Sequence, residues 1–238
     1  VSEANPSGNL ALDDDATVWS VPREEISERL STEPLVIVMH GRGSHENDLA
    51  GLFPLLPEGV VYASVRAPLP GAPYGIGGWT WFPPGEPANP SLETIDAAGN
   101  AVLAWLDRTE ASFGAPPAVA VLGFSQGGAM SIHLMRLAPH RFAAAVNLSG
   151  FSAAGSLPGD AELAMRRPPL FWGRDEADPV IAASGIDRTS AWAPDFFTVT
   201  ARLYPGIGHG ISPQELAEVS AFLREVLPID PADQIPAD

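Results

Sequence analysis

Six runs rich in valine, isoleucine, leucine and alanine punctuate the chain, at positions 35–39, 60–65, 118–122, 142–148, 169–172 and 200–204. Most are near-continuously apolar rather than alternating with polar residues. Strands of a parallel sheet covered on both faces carry that pattern. Between the runs, apolar residues recur three and four apart and predict helices over about 94–113, 127–137 and 213–227. Met130, Leu134 and Leu137 form the inward stripe of the second helix; Leu216, Val219, Ala221, Phe222 and Leu223 form that of the third. Ser212 is placed to cap the third helix, and Pro213 suits its first turn. Alternating strands and helices predict an α/β fold, with a mostly parallel central sheet and helices on both faces. Residues 68–90, rich in Gly, Pro and Trp and without periodicity, read as a long ordered loop over the carboxyl edge of the sheet.

At 238 residues the chain fits a single domain spanning 1–238, with 1–15 and 228–238 expected at its periphery. No apolar run approaches the roughly 20 residues that span a bilayer, so no membrane insertion is expected. The first residues show neither a basic n-region nor an apolar h-region; no signal peptide is read, and a cytoplasmic location is expected. Cysteine is absent, which excludes disulfides, thiolate metal sites and a cysteine nucleophile. Lysine is absent too, all 13 basic residues being arginine, so Schiff-base chemistry and a phosphate-loop lysine are excluded. Against 29 acidic residues the net charge is −16, which disfavours nucleic acid as a partner. A homodimer is left open.

The chemistry concentrates at Gly123-Phe124-Ser125-Gln126-Gly127-Gly128, directly after the run 118–122. A G-x-S-x-G turn between a buried strand and a helix exposes the serine hydroxyl at the carboxyl end of the sheet. That hydroxyl needs a base, and the base an orienting carboxylate. Asp178 follows the run 169–172 and is the candidate acid, with Asp175 as its competitor. His209, within Gly208-His209-Gly210 after the last run, is the candidate base. His133 reads as a packed or half-exposed helix residue, and His45 and His140 as loop residues. No His/Asp/Glu grouping has metal-ligand spacing, so no metal is expected. An oxyanion would need two backbone donors. The amide of Gln126 opens the helix after the serine, and that of Arg42 lies in the loop His40-Gly41-Arg42-Gly43. Trp79, Trp81, Phe82 and Phe151 are the candidate pocket residues.

These residues, with Asp48, Arg66-Ala67-Pro68, Gly77 to Phe82 and Asp178 to Ile181, resemble the phospholipase/carboxylesterase branch of the α/β-hydrolases. That branch includes small carboxylesterases and acyl-protein thioesterases, and the resemblance extends from about Leu35 to Leu223. It implies an α/β-hydrolase fold without a large cap domain and a cofactor-free serine esterase acting on a small-molecule ester. The expected activity is hydrolysis of small to medium acyl esters. A thioesterase or lysophospholipase for longer chains is the alternative, and a non-catalytic hydrolase-fold binding protein is the reading from another class.

Overall fold

In the computed structural model, which describes residues 10–85 and 88–230, the apolar runs assemble into a seven-stranded sheet. In chain order the strands are β1 (Val18–Trp19), β2 (Leu35–Met39), β3 (Val61–Val65), β4 (Leu69–Pro70), β5 (Trp79–Thr80), β6 (Val119–Phe124), β7 (Ala144–Leu148), β8 (Pro169–Arg174) and β9 (Thr198–Leu203). The helices are α1 (Ile26–Leu30), α2 (Leu92–Phe113), α3 (Gln126–Leu137), α4 (Asp160–Arg166), α5 (Ala183–Phe196) and α6 (Pro213–Val226). The sheet order is β1-β3-β2-β6-β7-β8-β9, and every pairing is parallel except β1 against β3. From β2 the chain moves outward to β3, then returns to lay β6 on the other side of β2. The carboxyl ends of β2 and β6 therefore flank a topological switch point, where open α/β sheets bind ligands.

In β2, β3, β6, β7 and β8 both faces are mostly apolar because each faces a core. The run at 200–204 differs. It falls in the edge strand β9, which carries Thr198, Thr200 and Arg202 and is largely exposed because it has a neighbour on one side only. Leu35, Ile37 and Met39 pack with residues of α1, α2, α3 and α5; Val36 and Val38 pack with α6. Helices thus cover both faces, as the unbroken apolar runs predict.

Part of the segment expected to be loop is ordered as a small hairpin, β4 against β5, which is bridged to Ser44 through Trp79. The chain ends depart from expectation. Residues 1–9 and 231–238 lie outside the described residues. Within the supposed periphery, Leu12 is buried in the core beside α2, Asp14 pairs with Arg108 at 2.5 Å, and Ile229 is buried beside α6. An apolar side chain at each of these two places completes a core edge. No helix among the described residues is long and apolar enough to cross a membrane.

Candidate active site

Strand β6 ends at Phe124, α3 begins at Gln126, and Ser125 makes the turn between them with φ 56° and ψ −114°. A positive φ is uncommon for a residue with a side chain, costs of order 1–3 kcal/mol, and holds the hydroxyl clear of strand and helix. The flanking glycines make the turn sterically feasible. A Cβ at Gly123 would stand 2.0 Å from the Gly127 carbonyl oxygen, and one at Gly127 would stand 2.0 Å from that of Met39. The Ser125 amide donates to the Leu148 carbonyl at 2.8 Å, fixing the turn to β7.

Two loops from the far strands reach this serine. His209 Nε2 lies 2.8 Å from Ser125 Oγ, and His209 Nδ1 lies 2.8 Å from Asp178 Oδ2. The other oxygen of Asp178 accepts from the amides of Val180 (2.8 Å) and Ile181 (3.0 Å), so the carboxylate is held at both ends. With Nδ1–H donating to Asp178, Nε2 is left as an acceptor facing the hydroxyl. The Phe124 ring covers the imidazole, 4.9 Å between centroids. Asp175, the competing carboxylate, does not reach His209. Its Oδ1 accepts from the Ala177 amide (3.0 Å) and its Oδ2 from the Gly208 amide (2.6 Å), which ties the two loops together. These backbone donors hold its carboxyl below the usual range.

The loop carrying Arg42 is framed from three sides. Trp81 Nε1 donates to the His40 carbonyl at 2.8 Å. His40 Nδ1 lies 2.8 Å from the Gly41 carbonyl oxygen, while its Nε2 accepts from the Ala67 amide at 3.1 Å. Both ring nitrogens are thereby used in the neutral form, and burial pushes the pKa of this imidazole down. Arg66 donates two bonds to Glu46, at 2.7 and 2.6 Å, and brings its carboxyl down to about 2. The Gln126 side chain locks the start of α3 to the same frame. Its Oε1 accepts from the Trp81 amide (2.8 Å) and Thr80 Oγ1 (3.0 Å), and its Nε2 donates to the Phe82 carbonyl (2.9 Å). The amides of Arg42 and Gln126 have no acceptor among the described residues. A Cβ built on Gly41 would lie 3.5 Å from Ser125 Cβ, which brings the Arg42 loop up against the Ser125 turn.

A cavity of about 290 Å³ opens over Ser125 and Gln126. Phe82, Pro83, Phe151 and Ile181 contribute apolar wall, and Arg42 also lines it. Two of the expected pocket aromatics are elsewhere. Trp81 is fully buried, with its N–H committed to His40. Trp79 lies beneath the Arg66 guanidinium, 4.8 Å from its ring centroid. Each anchors the loop, because the hairpin β4–β5 turns these rings toward the frame rather than toward the cleft. His133 is buried and bonds to Asp96 at 2.6 Å, away from the cleft; His45 and His140 are exposed. Sequence reasoning missed the roles of Asp175, the Gln126 side chain and the ring of Phe124. The only advance signal was that all three lie in the motifs that carry the chemistry.

A serine in a strained strand-to-helix turn, at the switch point of a mostly parallel sheet, defines the α/β-hydrolase class. The chain matches the phospholipase/carboxylesterase family over residues 23–227 and belongs to that family. Acyl-protein thioesterase 1 of Debaryomyces hansenii is 36% identical over 108 residues, covering 44% of this chain and 47% of the relative. A probable carboxylesterase of Oryza sativa subsp. japonica is 30% identical over 133 residues, covering 53% and 48%. The chain spans about half the length of these curated relatives. Among solved structures, esterase PE8 is 26% identical with a TM-score of 0.65, covering 82% of this chain and 94% of that one. A carboxylesterase from Mesorhizobium loti has a TM-score of 0.71 at 20% identity, covering 91% and 99%, and so shares the fold.

Proposed function

We propose that the protein is a serine carboxylesterase that hydrolyses small to medium acyl esters through an acyl-enzyme. The observation that carries this reading is the unbroken chain of 2.8 Å contacts from Ser125 through His209 to Asp178, opening onto a cavity of about 290 Å³. Ser125 Oγ attacks the ester carbonyl while His209 Nε2 takes its proton, and Asp178 stabilises the imidazolium that results. Negative charge grows on the former carbonyl oxygen, toward the unpaired amides of Arg42 and Gln126 and the positive end of α3. His209 then gives its proton to the departing alkoxide. Water, deprotonated by His209, attacks the acyl-enzyme, and the proton returns to Ser125 as the acid leaves.

A second reading, hydrolysis of longer acyl chains or thioesters, is favoured by one feature. An open depression of about 370 Å³ adjoins the cavity and shares Pro83, Pro84 and Asn89 with it. It could take an acyl tail that outgrows the first cavity. The name of the thioesterase relative points the same way. Acyl esters and thioesters of increasing length separate the two: a fall in kcat/KM beyond about six carbons supports the short-chain reading.

The decisive experiment is Ser125→Ala with a soluble butyrate ester. Hydrolysis should drop by roughly 10⁴- to 10⁶-fold in kcat. A fluorophosphonate should phosphonylate Ser125 Oγ with loss of fluoride, adding the mass of its phosphonyl group in the wild type and nowhere in the variant. Near-normal turnover by Ser125→Ala would overturn the mechanism.

A further inference from the structure

The 13 arginines are not used alike. Twelve of them have a hydrogen bond, an ion pair or a ring contact. Arg29, Arg66, Arg108, Arg136, Arg141 and Arg202 hold carboxylates through hydrogen bonds. Arg166 lies 4.0 Å from Glu162, and Arg23 lies over Phe113. Arg167, Arg174 and Arg188 donate to carbonyls, and Arg224 donates to Ser220. Arg42 is the exception among the described residues: its exposed guanidinium has none of these contacts. It is also the arginine that lines the cavity over Ser125, and no acidic residue lines that cavity with it among the described residues.

The vacancy is not for want of carboxylates. Two acids follow Arg42 within six residues, and both are engaged elsewhere: Glu46 with Arg66, and Asp48 as acceptor of Ser44 Oγ at 2.5 Å. The loop holds its own acids away from its first cation. Among the described residues the rest of the wall is apolar, as at Phe82, Phe151 and Ile181, or polar and uncharged, as at Asn89, Ser125 and Gln126, so none of it could neutralise a charge. A planar guanidinium with no partner among the described residues, lining the same cavity as Ser125, matches one chemical group best, a carboxylate taken by two parallel hydrogen bonds.

Resting on the esterase reading above, we infer that the Arg42 side chain selects esters that carry a free carboxylate a few atoms from the scissile bond. The backbone amide of the same residue serves the oxyanion, while its side chain reads the far end of the substrate. The class includes half-esters of short dicarboxylic acids and acyl esters of short hydroxy acids.

The test uses two matched pairs: monoethyl glutarate against its terminal carboxamide, and butyryloxyacetate against its carboxamide. Each pair differs in charge and hardly in shape, and kcat/KM is taken as a ratio within one protein. Loss of oxyanion stabilisation in a variant then cancels. In the wild type the acid should exceed the amide by at least about fivefold in one pair. Arg42→Gln should bring that ratio to about one, Arg42→Lys should restore part of it, and Arg42→Glu should take it below one. A wild-type ratio of one in both pairs, or a preference that survives Arg42→Gln, overturns the proposal. If the amides are hydrolysed in a Ser125-dependent way with such a flat ratio, the esterase reading stands and only the charge selection falls. If no ester is turned over and the fluorophosphonate fails to label Ser125, the esterase reading falls. Calorimetric binding of the same pairs to Ser125→Ala, with and without Arg42→Gln, then decides the carboxylate site alone; equal binding of acid and amide overturns it.

Discussion

Asp175 and Asp178 stand three residues apart on one loop, and their hydrogen bonds give them different work. Asp178 faces His209 Nδ1, whereas Asp175 grips the Gly208 amide next to that histidine. Asp175→Ala should therefore leave the proposed relay of Ser125, His209 and Asp178 chemically complete but let the histidine loop drift. A misplacement of this kind should lower kcat by up to about 10²-fold. Asp178→Ala, which removes the partner of the imidazolium, should lower it by orders of magnitude more. Steady-state kinetics of both variants on one ester checks the ranking; equal losses would mean that the two carboxylates act as one unit. The Asp175 carboxyl sits below its ordinary range, so its anchoring is present above the unfolded carboxylate pKa and is lost as pH falls through the folded value. At this scale the sequence order Ser125, Asp178, His209 was readable because each residue follows a strand and sits among turn formers. The direction of Trp79 and Trp81 was not. A two-residue hairpin has no period from which to read a face, and whether a ring points to a cleft or to a frame is settled by Arg66 and His40, distant along the chain.

Helix α6 begins immediately after the histidine loop, and its first turn carries a tension that the sequence pattern did not reveal. Ser212 caps the helix and Pro213 stands in its first turn, as the sequence predicts, and Glu215 makes the cap a reciprocal box that the sequence reading did not foresee. Glu215, however, is buried, its Oε1 has no hydrogen-bond partner among the described residues, and a Cβ at Gly173 would come within 2.1 Å of that oxygen. Burial pushes its carboxyl from 4.5 up to about 7, with Glu218 adding to the effect against the pull of the Ser212 amide. The folded protein thus keeps this proton to about pH 7, whereas the unfolded chain releases it near 4.5. Between these values rising pH favours unfolding, and above them the penalty is constant, at most of order 3 kcal/mol and reduced by solvent screening. Glu215→Gln preserves the cap and removes the charge. It should raise Tm by a few degrees at pH 8 and by nearly nothing at pH 4.5; equal gains at both pH values would show that charge is not the cause. Other elements escaped sequence reading for plain reasons. Helix α5 contains Gly185 and Pro194 and few large apolar residues, so its period is faint, although Trp192 and Phe196 pack against the core. Strand β1 is two residues long, too short to alternate.

Across the whole molecule the net charge of −16 is the property that the fold cannot absorb. Most arginines already hold acids or carbonyls, so the remaining carboxylates face one another through solvent. The self-repulsion of a charge that far from zero opposes the compact state. Surface ion pairs lose strength in salt as well, but exposed pairs contribute little to begin with. The pair of Arg136 with Asp160, whose guanidinium is fully buried and also donates to the Ala153 and Gly155 carbonyls, is shielded from that loss. Repulsion should therefore dominate the salt response. At 10 mM ionic strength the screening length is about 30 Å, comparable with the domain itself, and near 0.3 M it contracts to about 5 Å. Thermal denaturation in NaCl should show Tm rising by several degrees across that interval and levelling off above it. Chloride is the appropriate anion, because sulfate would strengthen apolar burial by exclusion and mask the electrostatic part. A Tm that falls with NaCl would mean that the arginine pairs outweigh the excess negative charge, and the surface would then have to be read as a network rather than a repulsive shell.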